Sequence, residues 1–199
     1  MVYSVMGDVL VAQEGREKES ISMFQNACEF FTDDNSWMFV KLGQTCRSIG
    51  ASDVAIAYLD KSISIVDPIE DERLFQVKVA AKKSLGNTHL KKFYAYESTA
   101  GIPERNDELI RKALFWSEAA FECQGGVNLA CSIDLAQEHY FLGDSEKAHN
   151  MLKEYLDAIV KLGPSHCQTC HQTCANHAIM EKSNALILLL SVRTFPVPV

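Results

Sequence analysis

Apolar residues recur along this chain three and four positions apart, in blocks separated by Gly, Pro, Asn and Asp. That spacing lines one side of an α-helix, and no stretch shows the strict alternation of a half-buried strand. The blocks predict helices over about Val2–Glu14, Glu17–Phe31, Trp37–Ser48, Ser52–Val66, Glu70–Tyr94, Asp107–Glu122, Asn128–Leu142 and Ser145–Leu162. Thr32-Asp33-Asp34-Asn35-Ser36 reads as a turn ending in good N-cap residues, and Ser52 as the cap of the fourth helix.

Within these helices one phrase returns. Leu42-Gly43, Gly50, Ala55-Ile56-Ala57-Tyr58-Leu59 and Asp67-Pro68 form its clearest copy. Leu135-Ala136, Gly143-Asp144, Ala148 and Leu152 repeat it, and Gly15, Ser20-Ile21, Phe24 and Ala27-Cys28 give a looser version. Ser20 to Ala55 is 35 residues, and Ala113 to Ala148 is 35 again. The residue types have physical reasons. A glycine without Cβ lets two helices approach closely, and Gly15, Gly50 and Gly143 stand where a first helix ends and φ > 0 is needed. Ser20, Ala55, Ala113 and Ala148 lie where the second helix crosses the first, with Phe24, Leu59 and Leu152 one turn further on the same side. Asp67-Pro68 stops a helix.

A period of this length means stacked helical pairs. On these residues the chain resembles the tetratricopeptide repeat (TPR) family, over residues 1–162. The expected architecture is an all-α, TPR-like solenoid of helical hairpins, about eight helices in units of about 1–34, 36–69, 70–124 and 127–162. The third unit is irregular: Ala55 to Ala113 is 58 residues, one period plus an insertion. Glu97 to Asn106 carries turn chemistry and reads as an exposed loop. Gly163-Pro164 closes the array, followed by a Cys/His-rich segment over 163–182 and an apolar tail over 183–199.

Composition narrows the function. A net charge of −7 argues against nucleic-acid binding. The apolar run from Ala185 to Val192 is too short to span a bilayer. With no secretory signal in view, seven cysteines point to reduced thiols and a cytoplasmic location, with the nucleus as the alternative. Cys28, Cys46, Cys123 and Cys131 fall within or at the ends of repeat helices and read as small core residues, as His139 and His149 do. The early start of the first helix and the cut-short Cys/His segment suggest a piece of a longer array.

The TPR resemblance implies a non-catalytic scaffold that binds a protein or peptide on the concave side, lined by the first helix of each pair. Here that side is expected to offer Trp37, Val40, Gln44 and Arg47, then Lys83 and Asn87, then Ile133, Gln137 and Tyr140. One TPR subgroup grips a terminal carboxylate with a lysine–asparagine pair, and Lys83 and Asn87 share its spacing. Ala130 and Asp134 stand where that subgroup needs further basic residues, so the clamp is incomplete here. No phosphate loop, nucleophile elbow or His-Glu-x-x-His motif occurs, and no convergent constellation suggests catalysis.

A second feature lies beyond the repeats. His166, Cys167, Cys170, His171, Cys174 and His177 fall within twelve residues and supply thiolate and imidazole donors suited to zinc. Cys167, Cys170, Cys174 and His177 are the candidate ligands, with His166 and His171 as alternates. The stretch resembles the first half of a MYND-type zinc finger, which implies a zinc-binding adaptor module. The second Cys pair of such a finger is absent: Ser183, Asn184 and Ala185 stand where it is expected. Cys167 to His171 also fits the Cys-x-x-Cys-His haem attachment pattern, without the export route that haem attachment requires.

Overall fold

The computed structural model describes residues 2–30, 35–99, 106–124 and 129–162. Among the described residues the regular structure is helical: α1 (Val2–Val11), α2 (Glu17–Phe30), α3 (Ser36–Ser48), α4 (Ser52–Val66), α5 (Phe75–Thr99), α6 (Asp107–Cys123), α7 (Leu129–Phe141) and α8 (Ser145–Leu162), with a 3-10 turn at Glu72–Leu74. The chain forms two compact units, Met1–Gln124 and Gly125–Val199. That division falls between the third and fourth helical pairs of the stretch expected as one array. The expected break at Gly163-Pro164, the segment over 163–182 and the tail over 183–199 lie outside the described residues.

In the first unit α1 packs on α2, α3 on α4 and α5 on α6. Each pair crosses at a glycine. A Cβ on Gly7 would stand 2.5 Å from the Phe24 ring, one on Gly43 2.5 Å from Leu59, and one on Gly86 2.5 Å from Ser117 Oγ and 3.2 Å from Ala113 O. The absent side chain is what brings the backbones together, and small residues at Ser20, Ala55 and Ala113 complete each crossing at 0% exposure. Buried hydroxyls fasten two of the pairs: Ser20 Oγ donates to Gly7 O at 3.0 Å, and Ser62 Oγ to Ser36 O at 2.9 Å.

The hairpins then pack on one another, α2 on α3, α4 on α5 and α3 on α5. The larger core holds Val40, Leu59, Ile63, Val66, Val77, Ala81 and Leu85, with Trp116 against its edge. A second core joins Phe24, Phe39 and Leu42. The Phe39 and Tyr58 rings stack beside it at 6.2 Å, and Gln25 Nε2 donates to Tyr58 Oη at 3.0 Å. Two layers result, with α1, α3 and α5 in one and α2, α4 and α6 in the other.

The second unit repeats the hairpin with α7 and α8. Ala136 and Ala148 occupy the crossing at 0% exposure, and Leu152 and Tyr155 fill the space beside it. Burying one such leucine is worth about 1.5–3 kcal/mol.

Helix ends follow the expected glycines, which have φ of +84° at Gly15, +83° at Gly50 and +87° at Gly143. At Gly50 its N–H donates to Arg47 O at 3.1 Å and Ala51 N–H to Cys46 O at 2.9 Å; Gly143 and Asp144 make the same pair of bonds to Tyr140 O and His139 O. This double bond pattern satisfies carbonyls that the helix leaves open.

Several boundaries differ from the sequence reading. The first helix ends at Val11 rather than near Glu14. Ser52 lies inside α4 with Ala51 at its N-cap, whereas Asn35 stands at the N-cap of α3 as expected but makes no side-chain cap bond: its Nδ2 donates to Cys28 O at 2.9 Å. The fifth helix starts at Phe75, after a 3-10 turn capped by Asp71 accepting from Arg73 N, and not at Glu70. It also runs on through Thr99, so Glu97, Ser98 and Thr99 belong to a helix rather than to the expected loop. Where the other units break at a glycine, this one has Phe93, buried at 0% exposure, and packing carries the helix on.

Candidate partner-binding face

The expected lining residues fall into both units. In the first, α3 presents Trp37, 40% exposed, and an exposed Gln44 two turns later on the same side. Arg47 is half-buried one turn beyond. On α5, Lys83 and Asn87 are half-buried and one turn apart. The two helices are joined on this side by Gln44 Nε2 donating to Ser84 Oγ at 3.0 Å, which places Lys83 and Asn87 beside Gln44. Val40 is a correction. It is 0% exposed within the core of α3, α4 and α5, because its helical position turns it inward beside Leu59, and it has no surface to offer a partner.

In the second unit Gln137 and Tyr140 are half-buried on α7, and the Tyr140 and Phe141 rings are tilted against each other at 5.8 Å. Ile133 packs against Ala136, Leu152 and Tyr155 and is largely committed to that core.

The lysines around this face divide by what they hold. Lys91 Nζ donates to Arg47 O at 2.6 Å and Ser48 O at 3.4 Å, closing the C-terminal end of α3. Lys78 Nζ reaches Ile69 O at 2.7 Å, Lys82 pairs with Asp67 at 3.1 Å, and Lys92 with Asp53 at 2.5 Å. Lys41 pairs with Asp8 across α3 and α1 and lies 5.6 Å from the Phe24 ring centroid. All five ammonium groups work as fasteners between elements. Lys83 has no such carboxylate or carbonyl partner among the described residues.

Ser84, which ties the two helices together, was not singled out from the sequence. Its signal is its position, adjacent to Lys83 and three residues before Asn87. His89 on α5 is 8% exposed, and its Nδ1 is buried with no hydrogen-bond partner. Burial foremost, then Lys112 and Lys92, holds this imidazole down at a pKa of about 4.

Cys46 is buried, and Cys28 and Cys123 are half-buried free thiols. Burial pushes the Cys28 and Cys46 thiols upward, which suits packing residues rather than nucleophiles. His139 is 5% exposed, with Nδ1 3.9 Å from Asp144 Oδ2. The side chain of Cys131 and the candidate zinc ligands Cys167, Cys170, Cys174, His177, His166 and His171 lie outside the described residues. Among the described residues no group of three His, Cys, Asp or Glu side chains is placed to hold a metal ion. No described helix is long and apolar enough to cross a membrane.

No family model matches this sequence, and no curated protein matches it. Its fold is similar to a crystal structure of nearly identical TPR-like repeats from a Podosopora anserina protein described as a kinesin light chain. The TM-score is 0.60 at 14% identity, covering 96% of this chain and 92% of the other. At that identity the likeness speaks to the fold alone: the helical hairpins of this chain are TPR-like repeats.

Proposed function

We propose that this chain is a non-catalytic interaction scaffold whose first-helix layer receives a peptide or helix of a partner protein. One observation carries the reading. Trp37, Gln44, Lys83 and Asn87 form an aromatic and polar strip across α3 and α5 that neither core consumes. A large exposed aromatic amid polar groups is the usual anchor of a protein contact, and such repeats use their first helices this way. Gln137 and Tyr140 are the corresponding first-helix residues of the second unit, on α7. The free thiols suit a reducing compartment, the cytoplasm or the nucleus. Affinity capture with the full chain tests the proposal. Replacing Trp37, Arg47 and Tyr140 together by alanine is expected to remove the captured partners while the helical circular dichroism stays. An unchanged set of partners overturns it.

A second reading rests on the donor set after the repeats. Three thiols and three imidazoles between His166 and His177 match the soft-ligand preference of zinc, with Cys167 and Cys170 spaced as in a zinc knuckle. In that reading the chain is a MYND-like adaptor in which zinc orders this segment.

A further inference from the structure

The first helix is apolar on more than one side. Of the ten residues of α1, seven are Val, Leu, Met or Tyr, and its one charged residue, Asp8, pairs with Lys41 of α3. Gly7 meets Phe24 of α2, and Leu10 is buried on the same side. Val2, Val5, Met6 and Val9 form a second apolar stripe away from that crossing, 45–70% exposed. A helix that is apolar all round belongs in an interior. No other described helix carries exposed large apolar side chains on successive turns.

The internal repeat shows what kind of neighbour the stripe fits. Aligned on the crossing glycines Gly7, Gly43 and Gly86, Met6 corresponds to Leu42 and Leu85, and Val9 to Thr45 and Thr88. Those four counterparts are buried, where α2 packs on α3 and α4 packs on α5. Leu42 shares a core with Phe24 of α2, and Leu85 with Ile63 and Val66 of α4. The stripe on α1 thus has the register of a helix-covered surface.

We propose that α1 of a second copy of this chain covers the stripe, antiparallel and related by a two-fold axis between Val5 and Met6. Three observations select that occupant. Positions 2, 5, 6 and 9 are spaced three, one and three apart, a pattern that reads the same in both directions. An antiparallel copy therefore sets Val2 against Val9 and Val5 against Met6 of its partner, as a two-fold interface requires. The stripe carries no charge, so nothing in it repels a copy of itself. The exposed side of α8, a second helix like α2 and α4, is polar (Glu146, Lys147, Asn150, Lys153 and Glu154) and offers no apolar counterpart for head-to-tail stacking.

The area suits a weak dimer. The four stripe residues expose roughly 350 Å² per copy, a patch of the size that marks interaction sites. Tyr3 lies beside them, and half-buried Met23 of α2 stands 35 residues before Tyr58, which accepts from Gln25 of the preceding hairpin. With those flanks two copies bury up to about 1,000 Å², where specific interfaces begin.

The test is sedimentation equilibrium of the full chain from about 5 to about 200 µM, with reductant and chelator present so that neither a disulfide nor a metal joins two copies. The average mass is expected to rise toward twice the monomer mass and no further. Val5→Glu and Met6→Lys alter exposed positions, and each is expected to stay at the monomer mass with unchanged helical circular dichroism. Mixed in equal amounts, the two variants are expected to regain the dimer, because antiparallel pairing sets the new carboxylate of one beside the new ammonium of the other. Val11→Glu, half a turn round the helix from Val2, is expected to leave the dimer in place. The proposal is overturned by a monomer mass at every concentration, by a dimer that persists in Val5→Glu or dissolves in Val11→Glu, by masses that grow past the dimer as in an open array, or by a mixture of the two charged variants that stays monomeric.

Discussion

Leu59 occupies the space that a side chain on Gly43 would need: a Cβ there would lie 2.5 Å from Leu59 Cγ and 3.1 Å from Ala55 O. The crossing of α3 and α4 is therefore set by one missing methyl group. Gly43→Ala gains about 1 kcal/mol of helix propensity and loses more to overpacking. Overpacking of about 1–3 kcal/mol less that gain leaves an expected net loss of up to about 2 kcal/mol in urea unfolding. Combining it with Leu59→Ala should cost less than the sum of the two changes, because the clash partner is gone. Gly50→Ala tests a different term. Nothing lies within 4 Å of a Cβ there, but φ is +83°, so a loss of about 1–2 kcal/mol comes from the backbone alone, with Gly50→Asn milder.

Two lysines eight residues apart on α5 should behave oppositely. Lys91 Nζ adds a cation at the C-terminal end of α3, on Arg47 O, which also accepts from Gly50 N–H, and on Ser48 O, so Lys91→Met removes a charge-assisted bond at a helix C-terminus and is expected to cost up to about 1 kcal/mol. Lys83 fastens nothing among the described residues, and Lys83→Met should change stability by no more than about 0.5 kcal/mol. Chemical denaturation of the two variants side by side checks the contrast. Equal losses would mean that Lys83 is structural after all.

His89 predicts how the first unit responds to acid. Its folded pKa is about 4 against an ordinary value of 6.5. Between those values the unfolded chain binds the proton and the folded chain does not, so folding stability falls as pH drops. The contribution is fully present above about pH 6.5 and is lost progressively toward pH 4. Lys112 pairs with Glu108 at 2.6 Å and Lys92 with Asp53 at 2.5 Å, so neither of those carboxylates is free to stabilise an imidazolium. Urea midpoints measured at pH 7.5 and 5.0 should draw closer together in His89→Leu than in the unsubstituted chain. An unchanged gap would assign the acid response to other groups.

The repeat was legible because its determinants are local. Glycine where a helix must end, and small residues where two helices must cross, appear directly as letters at a fixed spacing, and Gly50, Gly143, Ala55 and Ala148 take those roles. Gly7 and Gly86 were harder to place. Gly86 is separated from its partner Ala113 by an insertion, and the Gly7 unit departs from the clearest copy. The extension of α5 through Thr99 was hidden because a buried Phe93 decides it, and burial is a property of the packed hairpin. The same limit explains Val40. Spacing put it on the first helix of its pair, but the neighbouring Leu59 and Ile63 determine that it faces the core.

The Cys/His segment yields the last prediction. If Cys167, Cys170, Cys174 and His177 hold zinc, full-length chain purified without added metal should carry about one equivalent by elemental analysis. A chelator strong enough to strip it should release protons on rebinding at neutral pH, since thiols must ionise to ligate. Cys167→Ser with Cys170→Ser should abolish the metal while leaving the helical circular dichroism of the repeats largely in place. Substantially less than one equivalent in the unsubstituted chain would remove the zinc reading, and a Soret band in the same sample would point to haem at the Cys-x-x-Cys-His pattern instead.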